Sequence, residues 1–231
     1  MFSVNGTKRI AQIMAGAAFF LAAFFSVFAA NREYRSISVS HRWASSDFLD
    51  DGALLSGISL SLSGDQHLVD GCLQMLTSIA GRVLPSENRE SLLANCDQML
   101  AQITKYSARN SYAWFMRAFV AYERGDLAGF NFALVNSYRS GPTEQWIAEL
   151  RFQLAENGYG LLLDDAKAGH LEDLALLVQS HRGIRTITSR YITEPSFRDH
   201  MINVVEDMPQ DIQQRFIRVL RAEVKRATMN E

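Results

Sequence analysis

The sequence predicts an all-α protein in which antiparallel helical hairpins stack as a short solenoid behind one transmembrane helix. Three observations carry this reading. Residues 10–30 form one unbroken apolar block. From Phe48 onward apolar residues recur at helical spacing, and no run alternates apolar and polar residues over strand length. Short Gly-, Pro- and Ser-containing breaks separate the periodic stretches. Composition agrees: 48% of the 231 residues are hydrophobic and only 4 are proline, which excludes a disordered or low-complexity chain.

The elements follow in order. Residues 1–9 read as a short tail ending in Lys8 and Arg9. In residues 10–30 the strongly polar members are Gln12 and Ser26, and Phe19, Phe20, Phe24, Phe25 and Phe28 make the block aromatic. A helix of this length reaches about 30 Å, the thickness of a bilayer core. Val27-Phe28-Ala29-Ala30 has the small-x-small form of a cleavage site, but the block is longer than an ordinary signal core, so a retained anchor is expected. Orientation is read two ways. Arg32, Arg35 and Arg42 after the block favour a cytoplasmic domain by the positive-inside rule, whereas a short basic start before a long apolar run has the form of an export signal. Export is the reading adopted, with the domain in the periplasm of a cell with an inner membrane.

Residues 31–47 are rich in Ser, lack helical periodicity and read as a linker; residues 48–231 read as the helical domain. Asp65 is expected to cap a helix through Leu68, Val69, Cys72, Leu73 and Leu76, with Gly81 at its stop. Pro85-Ser86-Glu87 opens the next helix, and Ser111 the third. Gly125-Asp126 turns into a fourth, Gly141-Pro142-Thr143 into a fifth, and Gly158 and Gly169 punctuate later ones. Ser196 with Asp199 has the form of a capping box, and Pro209 opens a last helix through Ile212, Phe216, Ile217, Leu220 and Val224.

That last helix is basic, with Arg215, Arg218, Arg221, Lys225 and Arg226 against Asp211 and Glu223. Its apolar stripe fits packing on the end of the stack, an anionic membrane surface or a partner. Overall the charge is balanced, 23 Lys and Arg against 25 Asp and Glu, and no basic tract points to nucleic acid.

Cys72 and Cys96 are equidistant from Leu84, inside an expected turn, and both fall on the apolar face of their helix. In an antiparallel hairpin such residues lie at one height, which fits a disulfide. The closed loop would stabilise by roughly 3 kcal/mol and would favour an oxidising compartment. The alternative is two reduced cysteines buried as small hydrophobes.

The signals of catalysis are missing from the pattern. The five histidines give no metal spacing; His67 with Asp70, and His170 with Glu172 and Asp173, come nearest. There is no G-x-S-x-G elbow, phosphate loop or dinucleotide glycine pattern. No catalytic residue, metal or cofactor is therefore expected. The acidic pairs Asp50-Asp51, Asp164-Asp165 and Glu206-Asp207 read as solvated faces, although carboxylates from distant helices can be assembled by a fold.

Residues 111–142 resemble one tetratricopeptide unit. Trp114 stands early in the first helix, Ala118 four later, Gly125-Asp126 at the turn and Pro142 at the end. Phe130 and Ser137 depart from the later small positions, and stepping about 34 residues either way finds no second match. The resemblance implies a protein-interaction scaffold whose first helices line a concave groove, which makes Tyr112, Arg117 and Glu123 the partner-binding candidates. The functional expectation is a membrane-anchored accessory subunit that positions another protein of a bacterial envelope assembly, by analogy with polysaccharide biosynthesis and export machinery. The alternatives are a glycan-acting helical hydrolase and a cytoplasm-facing adaptor.

Overall fold

The computed structural model describes residues 4–42 and 59–229; side chains are described for 12–34, 59–226 and 229. Every regular element among the described residues is a helix. The chain divides into two compact units, residues 1–89 and 90–231.

The first unit begins with α1, Val4–Arg42. It contains a 23-residue stretch, Gln12–Tyr34, long and apolar enough to cross a membrane. At 1.5 Å per residue the stretch spans about 35 Å. None of its side chains is buried, so this is no soluble core helix whose apolar face meets the fold. Within it Ser26 returns its hydroxyl proton to the Ala22 carbonyl at 2.9 Å, so this hydroxyl is satisfied by its own helix. The Arg32 guanidinium lies 5.7 Å from the Phe28 ring centroid.

Both ends of α1 correct the sequence reading. The expected tail is helical from Val4, and the expected linker is helical to Arg42. A Ser- and Arg-rich stretch shows no apolar period, yet its backbone still propagates a helix begun upstream. The end of the expected linker and the start of the expected domain, residues 43–58, lie outside the described residues.

Glu33 is the polar centre of this unit. Its carboxylate accepts from Ser59 Oγ at 2.9 Å, Leu60 N at 2.8 Å and Ser61 Oγ at 2.8 Å. Ser61 in turn caps α2, Leu62–Thr77, accepting from Gly64 N. The cap is therefore Ser61, and Asp65 instead sits buried in the first turn. Gly81 does not end α2; it lies in α3, Ile79–Arg82, a single turn capped by Ser78.

Helix α4, Ser86–Tyr106, starts after Pro85 as expected. Cys72 on α2 and Cys96 on α4 are both fully buried, and both are disulfide-bonded.

In the second unit α5, Ser111–Glu123, and α6, Leu127–Ser140, pack on each other. Asn110 caps α5 and Asp126 caps α6. Between them Gly125 adopts φ 70°, a conformation costing a side-chain-bearing residue about 1–2 kcal/mol.

Helix α7, Gln145–Asn157, packs on α8, Asp164–Gln179, after a turn of 3-10 helix at Tyr159–Leu161. The residue entering α7 is Glu144, not Thr143. Gly169 does not end a helix but lies buried inside α8, where a Cβ would stand 3.2 Å from the Tyr138 ring of α6. Its smallness serves the approach of two helices, so local sequence reads it as a break.

Helices α9, Gly183–Thr193, α10, Pro195–Glu206, and α11, Gln210–Met229, close the unit. Ser196 makes no cap: the helix starts at Pro195, with Glu194 before it. Phe152, Leu174, Leu177, Ile187, Phe197 and Met201 form the centre of the core here, and Phe216 of α11 joins it.

Candidate functional site

Helix geometry separates the three expected partner-binding residues. Tyr112 and Arg117 are five apart on α5, which at 3.6 residues per turn places them roughly 140° apart; Glu123 lies about 120° from Arg117 and on the side of Tyr112, three turns further along. Tyr112 is only 4% exposed. Its ring lies 4.9 Å from Trp146 and 6.3 Å from Phe115, so it is a core residue and lines no accessible groove. Glu123 is exposed at the last turn of α5.

Arg117 is the half-buried member, and it defines a surface. Its guanidinium stands 5.0 Å from the Trp114 ring centroid, one helical turn back. It donates to Thr104 Oγ1 at 3.2 Å and faces Asp97 at 3.8 Å, both on α4. The neighbouring Arg124 pairs with Glu90 at 2.9 Å and with Asp97 at 3.7 Å. The Trp114 ring also meets Phe132 of α6 edge-on, with centroids 5.7 Å apart. Trp114 is fixed by its Nε1 donating to the Ala108 carbonyl at 2.9 Å.

Phe132 remains 60% exposed. An arginine, an indole and an open phenyl ring thus lie side by side on the α5–α6 hairpin, each held by the scaffold before anything binds. Trp and Arg are the residue types that dominate binding hot spots, and preorganisation lowers the entropy lost on docking. The sequence singles out Trp114 only as the early tryptophan of the tetratricopeptide-like unit, and it does not single out Phe132. Their shared exposure depends on how α6 lies against α5.

A second polar constellation is buried. Arg151 of α7 and Asp173 of α8 are each 2% exposed and form two parallel bonds, Nε to Oδ2 at 2.7 Å and Nη2 to Oδ1 at 2.6 Å. The guanidinium also donates to the Ser137 and Gly141 carbonyls, both at 3.2 Å, and to Ser137 Oγ at 3.4 Å. Burial pushes the Asp173 carboxyl above its ordinary range, and the bonds from Arg151 draw it part of the way back. Tyr138, beside this pair, has its phenol pushed up by burial and by the charges of Glu172 and Asp173.

One turn away, His170 Nε2 meets Glu156 Oε1 at 2.5 Å, and the His170 ring stacks on Phe152 at 6.1 Å. Tyr159 stacks on His200 at 3.9 Å, and its phenol is pushed up by burial and by Glu156. The gap lined by Arg151, His170, Asp173 and Tyr138 measures about 10 Å³, the room of a single water. This constellation joins α6, α7 and α8 and is too tight to admit a ligand.

His170 therefore engages Glu156 rather than Glu172 or Asp173, and His67 is exposed on α2. Among the described residues no three His, Cys, Asp or Glu side chains converge as a metal site. Asp164, Asp165, Glu206 and Asp207 are exposed; Asp50 and Asp51 lie outside the described residues. No family model, curated protein or solved structure matches the chain.

Proposed function

We propose that this chain is a membrane-anchored interaction scaffold: α1 holds it in a bilayer, and the α5–α6 hairpin captures a protein partner of the cell envelope through Trp114, Arg117 and Phe132. The observation that carries the reading is the open Phe132 ring packed against Trp114, itself covered by Arg117. The tetratricopeptide-like part of the reading draws support from the same hairpin. Ala118 is fully buried between the helices, Gly125 takes the positive φ of the turn and Asp126 caps the second helix. Within this proposal the helical pairs of the second unit stack as a short solenoid.

The proposed compartment is oxidising, with the domain exported and the anchor in an inner membrane. Its support is the disulfide-bonded state of both cysteines, which a reducing cytosol would not maintain. The reading assigns the chain no catalytic role. In the second unit the buried side chains of Glu156 and Asp173 are engaged by His170 and Arg151.

The test is photo-crosslinking in intact cells with the reactive group at position 132, compared with position 206 on α10. A discrete adduct at 132, absent at 206 and lost in Arg117→Glu, is the expected result. Equal labelling at the two positions overturns the assignment of this surface.

A further inference from the structure

Helix α11 carries a face that the fold does not use. Phe216 is buried against the second unit's core, and Ile212, Val219 and Leu220 pack beside it. Ile217 and Val224 fall outside that contact, each 42% exposed. They are seven residues apart, two turns, and so point within roughly 20° of one another. Arg221 follows Ile217 by one turn, and Arg218 and Lys225 continue the same side; all three are exposed. The result is an exposed apolar edge bordered by cations, on a basic helix in a chain whose net charge is −2.

We propose that this face of α11 lies against an anionic lipid surface, with Ile217 and Val224 entering the headgroup boundary and Arg218 and Arg221 meeting lipid phosphates. Three things on this chain favour lipid over a protein occupant. The charge of the helix is opposite to that of an acidic bilayer surface, the apolar edge is narrow rather than a groove, and α1 keeps the domain close to a membrane. The inference rests on the anchor reading. It adds an electrostatic contact of the domain's own surface to the attachment that α1 provides, and so fixes which face of the domain meets the headgroups.

The experiment uses the full chain carrying Val224→Cys labelled with a polarity-sensitive dye; the two native cysteines, being disulfide-bonded, offer no competing thiol. The protein is reconstituted into vesicles of phosphatidylcholine alone or of phosphatidylcholine with phosphatidylglycerol. Flotation reads the anchor, and quenching of the dye by neutral acrylamide reads α11. Quenching should fall several-fold on the anionic vesicles only, and should recover in high salt and in the double variant Arg218→Glu, Arg221→Glu. Protein that floats but is quenched equally on both vesicles overturns the lipid contact and leaves the anchor standing. Equal shielding on both shows the edge covered by protein and overturns it too. Protein that floats with neither vesicle overturns anchor and contact together.

Discussion

At Arg151 the fold places a full charge in the core, and its cost is met by five acceptor contacts converging from α6, the turn at Gly141 and α8. Replacing both members of such a pair with apolar residues is often tolerated; removing one is not, because the other is left buried and alone. Asp173→Ala should cost about 3–5 kcal/mol in urea unfolding of the detergent-solubilised chain. Tyr159 makes a prediction in alkali. An unfolded phenol ionises near pH 10, whereas burial and Glu156 delay Tyr159 in the fold. Above that value the native state holds a proton the unfolded state has lost, so stability falls as the pH rises. Ultraviolet titration should show one late-ionising phenol fewer in Tyr159→Phe, and that variant should lose less stability over the same pH range.

At the scale of elements, the hairpin α5–α6 depends on its turn. Asp126 Oδ1 accepts from Gly129 N at 3.0 Å, closing the first turn of α6. Asp126→Ala should lower stability by about 1 kcal/mol in thermal denaturation, with Asn at the same position largely restoring it. The helices most legible in the sequence are those with chemical punctuation of this kind: α4 after Pro85, α5 at Ser111, α6 at Asp126 and α11 after Pro209. Misreadings arose where one residue type serves two physical ends. Gly169 admits the ring of Tyr138, and a glycine that lets helices touch looks locally like one that stops them. Tyr112 failed for a related reason. The exposure of a helical side chain is set by whichever element covers it, here the one bearing Trp146, and no periodicity on α5 encodes that.

For the whole molecule, the apolar block was the plainest signal in the sequence, because a bilayer-length run without a polar face needs no tertiary context to be recognised. Its outward-facing side chains give a direct test. Phe20→Arg near the middle of the stretch should weaken insertion by about 3 kcal/mol, read as increased extraction of the protein by alkaline carbonate. The cysteines test the compartment. Thiol titration of the denatured, unreduced chain from native membranes should detect no free thiol, and reduction should release both. The proposed interaction surface was the least legible feature: the sequence singled out Arg117, but Phe132 comes beside Trp114 only when two helices are laid together.

Glu33 stands at the end of the apolar stretch and gathers Ser59, Leu60 and Ser61, the residues that lead into α2. A rod fastened at that point behaves as a lever. With α1 set in a bilayer, as proposed, tilting of the helix would pass through these bonds to the first turn of α2.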